Sequence, residues 1–374
     1  MKVITAPWLQ GPAQTVCNML TQSGHQAWFV GGCVRNALLD APVSDLDLST
    51  NAHPKVVMQL AADAGLNAVP TGIDHGTVTV IADGIPFEIT TFRKDVATDG
   101  RRAVVAFADT MAEDARRRDF TINALYCGAD GAVVDPLGGL PDLDARRIRF
   151  IDDPAQRIKE DYLRILRFFR FTAWYGTDGF DADGLAACAM HADGIDGLSS
   201  ERVTTEMLKL LAAPDPAPAI AAMGQSGVLW HVIPGAAPDV LTVLVHLEGE
   251  AGLNPDPQRR LIALGGMRDR LRLSNAQAKH IDAVLADMPL SEIAYRHGAT
   301  AAIDRYLITQ ASLSQPLDET QIPLLETASK QIFPLKAADF MPALKGPELG
   351  QALRHAQARW IASGFALTKD QLLD

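Results

Sequence analysis

Residues 27–50 constrain the fold of this chain more than any other stretch. A strand-length apolar run ends at Gly31-Gly32, and Arg35 follows in what reads as the first turn of a helix. Farther on, Asp45 and Asp47 alternate with two leucines, and this period of two predicts a strand with both carboxylates on one face. Adjacent strands that join a glycine turn, an arginine and paired carboxylates can hold a nucleoside triphosphate and its magnesium ion.

Length and composition describe a globular protein of several domains. The chain has 374 residues, 48% hydrophobic and 21% charged, and this length predicts two or three domains. A net charge of -11 argues against a histone-like basic protein, although it is compatible with a local basic groove for nucleic acid. The four cysteines are scattered, so we expect free thiols rather than a disulfide framework or a zinc ribbon. Because we find neither a spanning apolar run nor a signal-peptide pattern, we expect a cytoplasmic protein without membrane contact.

The residue patterns predict an α+β protein whose strands are confined to the N-terminal part. Two β-rich runs around Asp83-Gly84 predict a hairpin, and the polar stretch Arg93–Val104 is interpreted as a mobile loop. Beyond Ile151 strands nearly vanish, and Gln156–Tyr175 is predicted to form one strong helix. Proline clusters farther along predict boundaries between helical subdomains.

The Asp-x-Asp pair has a chemical use in nucleotidyl transfer. Divalent ions held by carboxylates on one strand face neutralise phosphate charge and lower the pKa of an attacking hydroxyl. Such a pair often only faces solvent, so a third carboxylate strengthens the hypothesis; Glu88 qualifies, although a surface glutamate is the alternative. Gly31-Gly32 has two interpretations: the glycines let the backbone approach phosphates closely, or they only form a tight strand-to-helix turn. Arg35, one turn on, would reach a phosphate as a charge-assisted donor.

Two other groups of charged residues are candidates for nucleotide contacts. A basic cluster, Arg116–Asp119, precedes an apolar-polar run that would be odd on a plain surface helix. The predicted long helix carries a charged stripe at i, i+3 spacing: Asp161, Arg164, Arg167 and Arg170. Salt bridges within the helix are the ordinary alternative for such a stripe, but three arginines on an otherwise apolar helix favour a cleft.

An aspartate beside an arginine can also select a nucleobase. Cytosine and adenine each present an amino donor next to a ring-nitrogen acceptor, which a carboxylate and a guanidinium match. Uracil and guanine reverse that order and would leave both partners unpaired, at a cost of roughly 1–3 kcal/mol per buried group. Asp161 with Arg164 therefore predicts a site that takes C and A and rejects U and G.

In these motifs the chain resembles the class II tRNA nucleotidyltransferase family, which contains CCA-adding enzymes and bacterial poly(A) polymerases. The matching segments follow the family's order: Gly31–Arg35, Ser44–Thr50, Phe87–Arg93, Arg117–Ala124, Asp135–Gly139 and Glu160–Arg164 with Arg167 and Arg170. The last hundred residues match little. Asn36 and Asp40 stand where the family usually has Asp and Gly, and we expect altered local hydrogen bonding there rather than lost activity.

The resemblance implies a role for each candidate residue. It implies magnesium at Asp45 and Asp47, with Glu88 as a supporting carboxylate. It implies the following nucleotide contacts: Gly31, Gly32 and Arg35 at the triphosphate, Arg118 and Asp119 near the phosphates and the ribose 2′-OH, Asp161 and Arg164 as the base template, and Arg167 and Arg170 completing the site.

The implied architecture is a nucleotidyltransferase head (1–140) with a small antiparallel-rich sheet, a helical neck with the base template (141–235), and a helical body and tail (236–374). The body and tail would hold the acceptor and T-arm of tRNA. No His/Asp pairing of the metal phosphohydrolase type follows residue 175, so we expect no appended hydrolase domain.

The implied function is addition of C, C and A to tRNA 3′ ends from CTP and ATP. Poly(A) polymerases share every motif, but the C-terminus here lacks the long basic tail that would favour one. A non-catalytic tRNA-binding relative is disfavoured by intact Asp45, Asp47 and Arg118. A small-molecule nucleotidyltransferase would not need some 200 further helical residues. The Arg93–Arg102 loop is a candidate lever for the change from C to A; the oligomeric state is not predicted.

Overall fold

The structure, a computed structural model, describes residues 2–99, 102–177, 179–341 and 344–373. The chain divides into two compact units. The first comprises Met1–Glu206 with Ala222–Val232, and the second comprises Met207–Ala221 with Ile233–Asp374. The predicted three-domain division at residues 140 and 235 stays a prediction. The described part of the second unit contains no strand, so the α+β class with an N-terminal sheet is confirmed.

Nine strands lie in the part of the first unit that the structure describes. They are β1 (Trp28–Val30), β2 (Leu46–Thr50), β3 (Asn67–Gly72), β4 (Thr77–Ala82), β5 (Ile85–Thr91), β6 (Arg93–Asp99), β7 (Arg102–Phe107), β8 (Tyr126–Cys127) and β9 (Val133–Val134). Seven of them form one mixed sheet in the order β3-β4-β5-β2-β1-β8-β9. The pair β2–β5 is parallel and the other neighbours are antiparallel, as the resemblance implied.

The described residues contain eighteen α-helices. They are α1 (Pro12–Thr21), α2 (Gly32–Leu38), α3 (Pro54–Asp63), α4 (Met111–Arg116), α5 (Leu140–Asp144), α6 (Pro154–Glu160), α7 (Leu163–Tyr175), α8 (Ala182–Met190), α9 (Ser200–Leu211), α10 (Ala217–Gln225), α11 (Pro238–Glu250), α12 (Pro257–Leu264), α13 (Asn275–Val284), α14 (Leu290–His297), α15 (Ala299–Ser312), α16 (Gln321–Ser329), α17 (Gly346–Ala362) and α18 (Lys369–Leu373). None of these has the length and apolar content that a membrane span requires.

The predicted hairpin is confirmed, whereas the prediction of a loop after it is wrong. β4 and β5 pair as predicted, and Asp83 and Gly84 both have positive φ, 49° and 79°, as a two-residue hairpin turn requires. The stretch interpreted as a mobile loop, Arg93–Val104, instead forms most of the antiparallel pair β6–β7. Its valines and threonine on both sides of a glycine are strand signals that the charged residues obscured. Gly100 and Arg101 lie outside the described residues.

The prediction of one helix over Gln156–Tyr175 is wrong. The helix ends at Glu160, Asp161 is extended (φ -157°, ψ 105°), and α7 begins at Leu163. The Asp161 carboxylate accepts a hydrogen bond from the backbone N–H of Leu163 at 3.1 Å, so the aspartate competes with the helix for backbone donors. The neighbouring Tyr162 ring lies where a Cβ on Gly194 would be, and this contact also holds the break.

A buried aromatic cluster packs α7 against the segments that carry Phe120 and Phe150. The rings of Phe120, Phe150 and Phe168 are fully buried. Phe120 and Phe150 have ring centroids 4.9 Å apart, and Phe150 stacks on Phe168 at 5.5 Å. Because Phe120 directly follows Asp119 and Phe168 directly follows Arg167, this packing fixes the segments that carry the two candidate site residues.

The second unit is stabilised by a buried ionic cluster. The Glu248 carboxylate accepts from Nε of Arg259 at 2.7 Å and from Nε of Arg260 at 2.9 Å. Arg260, 1% exposed, also donates to the carbonyl oxygen of Leu211 at 2.7 Å. Buried charges require such pairing, since one left alone is strongly destabilising.

Candidate active site

The three predicted carboxylates lie at the neighbouring strands β2 and β5. Asp47 and Glu88 are directly opposite each other in the parallel register, and neighbouring strands are spaced about 4.8 Å apart. Asp45 lies one position before β2 and is exposed, as is Glu88, whereas Asp47 is half-buried. Leu46 and Leu48 are buried, so the predicted alternation along this strand is confirmed.

The three carboxylates repel one another. Burial and the charge of Glu88 raise the pKa of the Asp47 carboxyl to about 6, Asp45 adds to the rise, and the guanidinium of Arg118 opposes it. A divalent cation would relieve this repulsion, and oxygen is the ligand that Mg²⁺ prefers. Among the described residues no group of three or more side chains is arranged to hold a metal ion by itself. A magnesium ion bound at these carboxylates would take its further ligands from phosphate and water.

Gly31 forms a tight turn between β1 and α2. Its backbone has φ 73° and ψ -121°, a region open only to glycine. A Cβ here would lie 3.4 Å from Nη1 of Arg118 and 3.7 Å from the carbonyl oxygen of Asn123. The Gly31-Gly32 turn thus lets the chain pass close to a site arginine. Contact of these two glycines with phosphate stays a prediction.

Gly31→Ala is expected to lower the free energy of unfolding by about 1–3 kcal/mol, because alanine is strained at this φ and ψ. Gly24→Ala is the matched control, since Gly24 also has positive φ (81°) but open space where a Cβ would lie. Urea unfolding and nucleotide binding of both variants separate the effect of backbone strain from the effect of a new contact with Arg118. Equal nucleotide affinity in the two variants would contradict a role for the Gly31 turn in the site.

Arg35 is 6% exposed and enclosed by protein groups. Its guanidinium carbon lies 4.1 Å from the centroid of the Tyr175 ring, and Nη2 donates to the Tyr175 hydroxyl at 2.8 Å. Nη2 also donates to Oδ1 of Asn36 at 2.9 Å, and Nη1 donates to Oδ1 of Asn123. The hydrogen bonds described for Arg35 are thus with protein, and its reach to a phosphate stays a prediction.

Asp114, which the sequence analysis did not single out, holds Arg118 in place. The Asp114 carboxylate is fully buried and accepts from Nη2 of Arg118 at 3.2 Å, Nε of Arg117 at 2.9 Å and the Tyr126 hydroxyl at 2.8 Å. Burial raises the pKa of this carboxyl, but Arg118 and Arg117 outweigh burial and hold the pKa well below its usual range. Its spacing from the two arginines, i+3 and i+4, is the sequence signal that could have found it.

Asp114→Asn is expected to lower the free energy of unfolding at pH 7 by about 3–5 kcal/mol, because Arg117 and Arg118, each 18% exposed, would lose the buried charge that pairs with them. Because the pKa of Asp114 is depressed in the folded state, its carboxylate stabilises the protein above the unfolded pKa of about 3.9, and this stabilisation is lost as pH falls. The difference in unfolding free energy between variant and wild type should therefore narrow below about pH 4. Urea unfolding of variant and wild type at pH 7 and pH 3.5 measures the loss of stability and its dependence on pH. Asp109→Asn, at an exposed aspartate just before the same helix, should have no measurable effect; an equally small effect of Asp114→Asn at pH 7 would contradict the account.

Asp119 pairs with Arg167, one of the candidate arginines of α7. It is 7% exposed, and its Oδ2 accepts from Nε of Arg167 at 2.7 Å while its Oδ1 accepts from Nδ2 of Asn123 at 2.9 Å. Burial raises the pKa of the Asp119 carboxyl, but Arg167 and Asn123 more than offset it, so the pKa is lowered. Arg170 pairs instead with Glu206, at 3.2 Å from Oε2. Glu206 and Asn123 were not predicted from the sequence.

Asp161 and Arg164, the predicted base template, have separate partners. The Asp161 carboxylate accepts from Nη2 of Arg202 at 2.7 Å, and Nη1 of Arg164 donates to Glu160 at 2.6 Å. Asp161 and Arg202 are both partly exposed, at 31% and 35% of their side chains, whereas Arg164 is 12% exposed. Because Asp161 lies between two helices, it does not continue the helical stripe of the arginines. Arg202 was missed because its partner lies 41 positions away.

Hydrogen bonds hold the α6–α7 region against the Arg117–Asp119 segment. Nη2 of Arg164 donates to the carbonyl oxygen of Arg117 at 3.3 Å, and Nη2 of Arg157 donates to that of Arg118 at 2.6 Å. The first unit therefore contains a group of repelling carboxylates, a glycine turn and a set of guanidinium groups linked through shared contacts. Carboxylates for a cation and arginines for phosphates are the donor set that a nucleoside triphosphate requires.

Comparison with known proteins identifies the family. Residues 27–149 match the family described as "Poly A polymerase head domain", and residues 180–240 match "Probable RNA and SrmB- binding site of polymerase A". Over 394 aligned positions the chain is 30% identical to "CCA tRNA nucleotidyltransferase 1, mitochondrial" of Mus musculus. The alignment covers 96% of this chain and 88% of that relative. The chain belongs to the class II tRNA nucleotidyltransferase and poly(A) polymerase family.

Other proteins resemble the chain over different lengths. A CCA-adding enzyme of Limosilactobacillus fermentum is 38% identical over 233 residues, and the match spans 62% of this chain but only 57% of that relative. The structure of the Bacillus stearothermophilus CCA-adding enzyme in complex with CTP matches with a TM-score of 0.74 at 26% identity, covering 96% of this chain and 94% of that one. A Thermotoga maritima CCA-adding enzyme complexed with tRNA matches with a TM-score of 0.73 at 17% identity over 100% of this chain and 98% of that one, which shows a shared fold.

Proposed function

We propose that this chain is a CCA-adding tRNA nucleotidyltransferase, which adds C, C and A to tRNA 3′ ends from CTP and ATP and releases pyrophosphate. The observation that carries the proposal is the apposition of Asp47 and Glu88 on parallel strands, with Arg118 close enough to lower the Asp47 pKa. Family membership and the names of the relatives support the same activity.

In the proposed reaction the tRNA 3′-oxygen forms a bond to the α-phosphorus of the nucleotide, and the bond from that phosphorus to the β-phosphate breaks in line. Asp45 and Asp47 would hold magnesium, which supplies charge neutralisation and lowers the pKa of the attacking hydroxyl. Arg118 and Arg35 would bind the triphosphate, and Glu88 would support the carboxylate pair. Asp114 orients Arg118 for this contact through their hydrogen bond.

The choice of base is proposed to lie with Asp161 and Arg164. Asp161 is partly exposed and can exchange Arg202 for the amino group of cytosine or adenine. Arg164 would donate to the adjacent ring nitrogen. Arg167 and Arg170 would complete the nucleotide site beside Asp119, which we propose near the ribose 2′-OH. No nucleic-acid template is needed for this selection.

The remaining assignments extend the same proposal. Residues 1–140 would form the catalytic head, 141–235 the neck, and 236–374 a body and tail that hold the acceptor and T-arm of tRNA. A cytoplasmic location and magnesium as the metal are part of the proposal as well. The β6–β7 pair is proposed to take part in the change from C to A.

A nucleotide-incorporation assay tests the proposal. Purified protein is incubated with magnesium and a tRNA transcript that ends in CC, and each of the four nucleoside triphosphates is supplied separately. We expect one A to be added from ATP and far less from UTP or GTP. Open-ended A tracts would favour a poly(A) polymerase, and tRNA binding without any incorporation would favour a non-catalytic relative.

A further inference from the structure

Asn123 lies between two charged groups of the candidate site. Its amide oxygen accepts from Nη1 of Arg35, and its amide nitrogen donates to Oδ1 of Asp119 at 2.9 Å. Asn123 and Arg35 are each 6% exposed and Asp119 is 7% exposed. One neutral side chain thus joins a buried cation on α2 to a buried anion next to α4.

The chemistry of the two neighbours requires a side chain at this position that both accepts and donates, as the amide of Asn123 does. A guanidinium has donors and no acceptor, so the group that faces Arg35 must accept. An ionised carboxylate has acceptors and no donor, so the group that faces Asp119 must donate. An aspartate in place of Asn123 would present a like charge to Asp119. A leucine of similar size would deprive both charged groups of a buried partner, which is costly.

The two groups that Asn123 joins have different neighbours and different proposed uses. Arg35 stacks on Tyr175 and is proposed to bind the triphosphate. Asp119 pairs with Arg167 and is proposed to lie near the ribose 2′-OH. We infer that Asn123 is a positioning residue that holds Arg35 toward the triphosphate and Asp119 toward the ribose, so that one side chain sets both contacts. This inference rests on the proposed function.

The test compares the equilibrium binding of three ligands by calorimetry: CTP, 2′-deoxy-CTP and CMP, all with magnesium. The ratio of CTP to CMP affinity reports the triphosphate contacts, and the ratio of CTP to 2′-deoxy-CTP affinity reports the ribose contact. The variants are Asn123→Leu, Asn123→Asp and the matched control Asn36→Ala. Asn36 is also an amide that accepts from Arg35, at 3.1 Å from Nε, and no described hydrogen bond joins it to Asp119.

Asn123→Leu is expected to reduce both ratios about ten-fold, because it removes a buried hydrogen bond from each charged group. Asn123→Asp keeps an acceptor for Arg35 and should reduce mainly the ribose ratio, whereas Asn36→Ala should reduce only the triphosphate ratio. A purely structural role would lower the thermal midpoint and leave both ratios at wild-type values in the folded protein. That result, or failure of both Asn123 variants to fold, would overturn the inference.

The same samples separate this inference from the proposed function. Wild-type protein that binds CTP but extends no tRNA would refute the proposed activity, and the affinity ratios would still report on Asn123. Wild-type protein that binds none of the three ligands would overturn both.

Discussion

Asp47→Asn is expected to reduce CTP and ATP incorporation into tRNA by about 10³-fold, because the metal contribution to such a transfer amounts to several kcal/mol. The substitution keeps the size of the side chain but removes a charged metal ligand. Asp83→Asn is the matched control, since Asp83 is an exposed carboxylate in the β4–β5 turn and asparagine tolerates its positive φ of 49°. The measurement is the initial rate at saturating nucleotide. An Asp47→Asn variant with a rate within a few-fold of wild type would rule out the metal assignment.

The same substitution is expected to stabilise the metal-free protein at pH 8. The pKa of Asp47 is raised to about 6, so the folded protein binds this proton more tightly than the unfolded chain. The stability gained from this tighter proton binding is fully present below the unfolded pKa of about 3.9 and is lost as pH rises through about 6. Ionised Asp47 therefore costs stability at pH 8, where asparagine avoids the burial of a charge and the repulsion from Glu88. Thermal midpoints in EDTA at pH 8 and pH 4 should differ between wild type and variant only at the higher pH.

Asp161→Asn is expected to reduce the preference for CTP over UTP by about ten-fold or more. A carboxylate only accepts hydrogen bonds, whereas an amide also donates and can therefore pair with the keto group of uracil. Arg164→Ala removes the proposed donor to the ring nitrogen and should relax the same preference. The measurement is the ratio of kcat/KM for the two nucleotides on a tRNA that ends at the discriminator base.

Two controls make the base-template result specific. Asp152→Asn changes an exposed aspartate just before α6, with a positive φ of 56° that asparagine tolerates, and should leave the ratio unchanged. Arg202→Ala removes the present partner of Asp161 but leaves the carboxylate free to accept from a base. If Asp161→Asn and Arg164→Ala both keep the wild-type preference, the choice of base lies elsewhere.

Local patterns in the sequence were sufficient to predict the carboxylate strand, the glycine turn and the β4–β5 hairpin. Each depends on residues that are neighbours in the chain: alternation of Asp and Leu, Gly31 after a strand, and Asp83-Gly84 between β-rich runs. The residue patterns also predicted the α+β class, which the structure and its match to a solved structure confirm.

Contacts between distant residues account for what the sequence did not predict. At the helix break Tyr162 packs against Gly194, and helical periodicity carries no information on that contact. Asn123 lies 88 positions from Arg35, so its bridging role was visible only in the structure. In β6 and β7 the charged residues favoured a loop, although pairing of the two strands satisfies the backbone groups along their shared edge.

The most direct test of the central claim is the sequence of the product. The protein is incubated with magnesium, CTP and ATP together, and with tRNAs that end at the discriminator base, at C or at CC. We predict that addition stops at CCA in each case, with three, two and one nucleotides added. Longer A tracts, or no addition to any of the three tRNAs, would contradict the account.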